Sequence, residues 1–515
     1  MLTKGGVTSG VVYPKVLLRL APKYRFRSVG GTSAGAIAAA LAAAAEYNRL
    51  GGGFERLAEI PNELAGVLFT LFQPVPQHKK TYHALLKASE KKDVGLIWAL
   101  WNARKLISSF KALPKTRYGM CPGLRQPGYA EPGLTDWLYE KMQYVAGLPL
   151  DRPLNFGDLK AKGIKLRMIT TNLSKQSPLT LPLDQTFWMD PADAAALMPK
   201  PVSDQLRETT GEDGLFAVPS GDDMPVLLAT RMSLSFPGLL AAVPLYCKDY
   251  TLRLCDDQKE IKRVSWFSDG GISSNFPVHL FDSPLPTRPT FGISLGAFHE
   301  CRQTEDDGVP GRNRIYLPKE AGRGQLRPMF PISGTMSFLG AILDSARNWQ
   351  DASQAILPGY TERIVRIYLK GDEGGLRLEM GKELIDALGE LGGYAGDELL
   401  SFDFDEHRWR RLLAATAAME KYFEALRGAF DPSFQNFLDD YVTKFEMNGP
   451  TGSYKPANAA KLKELKGRWE ELAALGKRWA EAPLRDAWGE NNGSMPKPRA
   501  TVRFTPAEFT EPEKE

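Results

Sequence analysis

The sequence predicts an α/β fold, with a mostly parallel central sheet covered by helices on both faces and a helical C-terminal region after it. Three observations lead there. Strand patterns recur at "IKLRMITTNL" (164–173), "RVSWFSDGG" (263–271), "TFGISLGAF" (290–298) and "RIVRIYLK" (363–370). Helical patterns separate several of them, as a layered sheet requires. From about Gly375 the segments "KELIDALGELG", "EHRWRRLLAATAAMEKYFEALRGAF" and "AAKLKELKGRWEELAALGKRWAEA" carry apolar residues at three- and four-residue steps.

Composition bounds the function. With 515 residues, 43% of them hydrophobic, the chain can bury a large core in two to four domains. The 65 Lys and Arg nearly balance 61 Asp and Glu, which gives no global nucleic-acid footprint. Cys121, Cys247, Cys255 and Cys301 form no C-x-x-C pair and no metal spacing, so a reduced compartment is expected. No apolar stretch of signal-peptide form opens the chain, and the alanine-rich run after Ser33 is too short and too small to span a bilayer. A soluble (cytoplasmic) or peripheral membrane protein is therefore expected.

In chain order, Met1-Leu2-Thr3 is short for a central parallel strand, so either the first strand is brief or residues have been lost upstream. The run "KGGVTSG" then places Gly5, Gly6 and Gly10 ahead of the first helix; such glycines lay bare N–H groups against an anion, or simply turn the chain. A strand at 24–29 and a helix at 34–47 enclose Gly31-Thr32-Ser33-Ala34-Gly35, a G-x-S-x-G turn in the strand-to-helix context of a nucleophile elbow. Small neighbours leave Ser33 Oγ accessible on a sharp turn, and the following helix aims N–H groups at any oxyanion beside it.

Between 64 and 118, apolar clusters "LAGVLFTLF" and "VGLIWALW" mix with ten lysines and arginines against only Glu90 and Asp93. Two readings stand: a basic, aromatic surface for an anionic bilayer, or amphipathic helices packed on the core with a solvated basic face. Asp269 follows an apolar strand and precedes Gly270-Gly271; its carboxylate either serves Ser33 as a base or caps the next turn. His299, after the strand ending at Phe298, completes the order Ser33, Asp269, His299 of a hydrolase triad and is the rival base.

These blocks together resemble the patatin-like phospholipases. Gly5-Gly6 with Gly10, the Gly31–Gly35 elbow and Asp269-Gly270-Gly271 are similar to that family's three signatures, "RMSLSFPGLL" (231–240) to its A-S-x-x-x-P segment, and "SNFPV" to its N-x-P-V. The likeness runs from Met1 to about Phe298. It implies carboxylic-ester hydrolysis of a lipid, at a membrane surface, by a Ser33/Asp269 dyad without metal or other cofactor. The backbone N–H groups of Gly5, Gly6, Val7 and Ala34 would form the oxyanion hole. The loop departs from the family's G-G-G-x-R/K-G, having Val7 at the third glycine and Ser9 at the basic position. Alternatives are a triad esterase or thioesterase using His299, or a non-catalytic lipid-binding scaffold. The expected organisation is an acyl hydrolase domain over 1–370 with the basic insertion at 64–118, a helical region over 371–490 and a mobile tail over 491–515.

Overall fold

The computed structural model describes residues 1–5, 9–64, 67–89, 112–209, 211–249, 262–298, 309–318, 359–370, 380–429, 431–449 and 458–481, with a few isolated positions between 329 and 373. Its strands are β1 (Leu2–Thr3), β2 (Ser28–Gly31), β3 (Gly119–Cys121), β4 (Lys165–Asn172), β5 (Ser177–Leu181), β6 (Phe187–Met189), β7 (Phe216–Val218), β8 (Gly238–Leu240), β9 (Val243–Lys248), β10 (Lys262–Ser268), β11 (Gly292–Ala297), β12 (Ile315–Tyr316) and β13 (Ile364–Leu369).

Among the described residues, eleven strands form one mixed sheet in the order β12-β13-β11-β1-β2-β4-β10-β9-β6-β7, with β5 on β4. Its centre, β13-β11-β1-β2-β4, is parallel throughout; beyond β4 the pairing turns antiparallel. Met168 to Asn172 on β4 are all buried. Successive side chains point to opposite faces, so both faces of the sheet are covered there.

Two residues of β1 lie between β2 and β11, with Thr3 opposite Gly31 and Ile293. The second strand begins later than the residue pattern indicates, at Ser28, and takes in Gly30 and Gly31. Glycine has little intrinsic preference for strands, but close approach requires it here: a Cβ at Gly30 would stand 2.8 Å from Arg167 O and 3.2 Å from Leu2 Cδ2.

The helix Ala34–Tyr47 is buried along most of its length, and its alanines let it sit close to the sheet. In the C-terminal region, helix Lys382–Leu400 joins the principal core through Ile385, Leu388, Leu391, Ala395 and Leu399. Its glycines receive helix Tyr13–Leu20: a Cβ at Gly396 would stand 2.6 Å from Arg19 Cβ. Ion pairs Lys15–Glu390 and Arg19–Asp397 flank that seam.

Helices Phe404–Ala429 and Ala459–Glu481 follow at the expected places. Between them stands a further helix, Pro432–Asn448, whose start is an Asp431 cap on Phe434 N–H with proline at the first helical position. Arg411 of helix Phe404–Ala429 donates to Asp282 at 3.0 Å and to Ser283 O at 2.6 Å, tying this region to the end of the sheet domain. No helix among the described residues is long and apolar enough to cross a membrane. Of the basic segment, helix Lys79–Ser89 is described, while 90–111 lies outside the described residues.

Candidate active site

The site begins where β2 ends. Ser33 has φ 56° and ψ −131°, a conformation that costs an L-residue about 1–3 kcal/mol and is kept where the surroundings enforce it. The helix starts at the next residue, Ala34, so that N–H belongs to the first turn, which lacks intrahelical acceptors. Gly35 N–H donates to Thr32 O and Ala36 N–H to Ser33 O, both at 2.9 Å, closing the turn around a serine only 5% exposed.

The glycines of the elbow are steric necessities. A Cβ on Gly31 would run into the Gly35 carbonyl, and one on Gly35 into the Thr3 carbonyl, while Thr3 Oγ1 donates to Gly35 O at 2.8 Å. The elbow is thus wedged against β1. Gly35→Ala is expected to destabilise the fold by about 1–3 kcal/mol through overpacking against backbone that must shift. Urea denaturation measures this as a lower midpoint; an unchanged midpoint would mean that β1 and the helix are not held together as described.

Asp269 arrives on an antiparallel strand. In open parallel sheets, sites form beyond the carboxyl ends of parallel strands. Here β10 runs antiparallel to β4, with Ser268 opposite Thr171. β4 continues past its pairing with β2, which ends at Gly31 opposite Met168. β10 therefore descends along the overhang of β4 and stops just above the end of β2. Gly270 lets it stop there, because a Cβ would run into Ile169 O.

The Asp269 carboxylate, 4% exposed, caps the turn Gly270–Ile272 by accepting from Gly271 N–H at 2.7 Å. Capping does not exhaust it, since an ionised carboxylate offers about four acceptor positions.

Ser33 and Asp269 share neighbours on two sides. On one side is Asn275, whose carbonyl accepts from Thr32 Oγ1 at 3.0 Å and from Gly5 N–H at 3.2 Å. A Cβ at Gly5 would stand 2.9 Å from Ser33 Cβ and 2.5 Å from Asn275 Oδ1; one at Gly271 would stand 2.8 Å from Asp269 Oδ1 and 3.0 Å from Asn275 Oδ1. On the other side are Ser233 and Ser235, at the C-terminal end of helix Val226–Ser233. Ser33 N–H donates to Ser233 Oγ at 3.2 Å, and Asp269 N–H donates to Ser235 O at 2.9 Å.

Gly5 N–H donates to Asn275 O at 3.2 Å, and its lack of a side chain lets it lie close to Ser33. Gly6, Val7 and His299 lie outside the described residues. Of the other histidines, His78 bonds Thr116 Oγ1 at 3.0 Å and His407 packs between Phe402 and Phe404. Sequence reasoning passed over Ser233, Asn275 and the fully buried Arg231, although all three stand within the quoted segments "RMSLSFPGLL" and "SNFPV".

Parallel strands, a strained serine at the strand-to-helix turn after β2 and a buried aspartate just past the end of β10, with β4 between the two strands, define an α/β protein with its candidate site at the edge of the parallel centre. A family model described as "Patatin-like phospholipase" matches residues 2–282, and the chain belongs to that family. It is 32% identical over 610 aligned positions to a Rhizobium meliloti (strain 1021) protein named "RpoH suppressor", covering 93% of this chain and 95% of that protein. Among solved structures it is similar to VipD from Legionella pneumophila, at 13% identity and a TM-score of 0.26 over 94% of this chain and 86% of that one. The type III effector ExoU is similar at 15% identity and a TM-score of 0.28, over 94% of this chain and 72% of that one.

Proposed function

We propose that this patatin-like lipid hydrolase cleaves carboxylic esters of phospholipids or related lipids through a Ser33/Asp269 dyad. Ser33 Oγ attacks the ester carbonyl carbon while its proton passes to Asp269. The oxyanion is held by the N–H of Ala34, with Gly6 and Val7 of the early loop as the further donors. Collapse of the tetrahedral species expels the alcohol, which takes the proton from Asp269 and leaves an acyl-serine. Water then repeats the sequence and releases the fatty acid.

The observation that carries this reading is the strained φ of Ser33 beside an aspartate fastened to the same short segment. A structural serine has no use for that strain, and stored strain of this kind clusters at functional sites. Fatty-acid release from mixed phospholipid vesicles, compared between wild type and Ser33→Ala, tests it. Release that depends on Ser33 is expected; equal release by both would overturn the reading.

A phospholipid acyl chain is buried in its bilayer, so the enzyme must dock to reach it. The basic, aromatic segment at 64–118 suits an anionic surface, each lysine contributing about 1 kcal/mol near it. Combined charge reversal of Lys87, Lys91 and Lys92 is therefore expected to weaken binding to anionic vesicles by about 100-fold at low salt. Activity on a short monomeric ester is expected to survive. Vesicle sedimentation across a salt series measures this, and binding indifferent to salt and to these lysines would assign the segment to the packed core.

A further inference from the structure

The two proposed catalytic residues are far apart in sequence, yet proton transfer requires them within about 2.6–3.2 Å of each other in the working complex. Something must set that spacing. We infer that residues 231–235 form one positioning segment, in which Ser233 holds the nucleophile and Arg231, acting through Ser235, holds the base. This inference rests on the Ser33/Asp269 reading above.

The Ser233 hydroxyl works in both directions. It accepts from Ser33 N–H at 3.2 Å and donates to Ile169 O at 2.7 Å, so it fixes the strained elbow to β4. Two residues on, the Ser235 carbonyl is free of the preceding helix and takes two donors, Asp269 N–H at 2.9 Å and Ser268 Oγ at 2.8 Å. β4 adds Thr170 Oγ1, whose single hydroxyl hydrogen is shared between Met232 O at 3.1 Å and Ser268 O at 2.9 Å. One short stretch of chain, through the Ser233 hydroxyl and the Met232 and Ser235 carbonyls, therefore touches the residue that attacks, the residue that accepts the proton, and the strand between them.

Arg231 explains why the stretch does not move. Its side chain is 1% exposed. Nη1 donates to Ser235 Oγ at 2.6 Å, and Nη2 donates to Pro122 O at 3.0 Å and Ala241 O at 2.8 Å. Ser235 Oγ in turn donates to Arg231 O at 2.8 Å. Burial lowers the guanidinium to about 10, so it stays charged at neutral pH. A buried cation served by neutral oxygens is costly, and the rigid fork is what it supplies: several donors in fixed directions, here joining the ends of β3 and β8 to the positioning segment. A core in need of filling would be served by an apolar side chain.

The test uses the full chain, a short monomeric ester and fluorophosphonate labelling. Ser233→Ala and Ser233→Cys, the second of which keeps an atom at the γ position but bonds weakly, are expected to lower kcat and the labelling rate about 10-fold to 100-fold. KM is expected to stay within about 2-fold, since neither change touches the substrate. Ser233→Thr keeps the hydroxyl and is expected to restore most of kcat. Arg231→Lys, which keeps charge and loses the fork, is expected to fall about 10-fold in kcat. Thermal melting reports the folded fraction, so rates are compared per folded molecule. If the folded Ser233 and Arg231 variants match wild type in kcat and labelling while Ser33→Ala is inactive, the positioning role fails and the dyad stands. If Ser33→Ala is itself active and labelled, the dyad fails and the positioning role with it.

Discussion

Ser33→Ala is expected to lower ester hydrolysis by about 10⁴-fold to 10⁶-fold, because the acyl-serine can no longer form and only binding and oxyanion contacts remain. The fold is expected to be unaffected, within about 0.5 kcal/mol, since alanine suffers the same backbone strain at φ 56° and loses only Oγ. Glycine at this position separates the two effects. Ser33→Gly removes strain of about 1–3 kcal/mol and gives back about 0.5–1 kcal/mol through the freer unfolded chain. The net is a more stable protein that is equally inactive, measured as a higher denaturant midpoint beside a lost turnover. A Ser33→Gly protein no more stable than wild type would remove the argument from strain.

Asp269→Asn is expected to cost about 10³-fold to 10⁴-fold in kcat. The substitution is nearly isosteric, and an asparagine Oδ1 can still accept from Gly271 N–H, so the cap and the turn Gly270–Ile272 persist. What is lost is the capacity to take the Ser33 proton. His299→Ala is expected to change kcat by less than about 3-fold, because a dyad has no imidazole relay. Steady-state kinetics on a soluble ester compare the two. A His299→Ala loss equal to that of Asp269→Asn would replace the dyad with a triad.

The parts of this site that were legible in the sequence are those written locally. The elbow announces itself because Gly31, Ser33 and Gly35 sit between a strand and an alanine run, and the helix spans Ala34–Tyr47 as its composition indicates. Asp269 is visible because an apolar strand and two glycines bracket it. The direction of β10 is not visible: whether a strand runs with or against its neighbour depends on its connection, and the residue pattern of 263–271 is the same either way. Nor is the role of Ser233, whose partner Ser33 lies 200 residues away in the chain. A serine near a helix end has many ordinary reasons to be there, and only the fold selects one. Arg231 is harder still, because hydropathy places an arginine at the surface and two of its three partners are backbone carbonyls that carry no side-chain signature. The helix Pro432–Asn448 had a readable start in Asp431-Pro432, but its face is weakly apolar, with Phe434 and Phe437 exposed.

The central claim is that Ser33 is the nucleophile, and reaction of the full chain with a fluorophosphonate tests it most directly. Such reagents phosphonylate an activated serine Oγ with loss of fluoride and stop there. Peptide mapping after labelling to completion is expected to find one phosphonate per chain, on Ser33, with labelling slowed in Asp269→Asn and absent in Ser33→Ala. Stoichiometric labelling of any other residue, or undiminished labelling of the Ser33→Ala protein, would contradict the account.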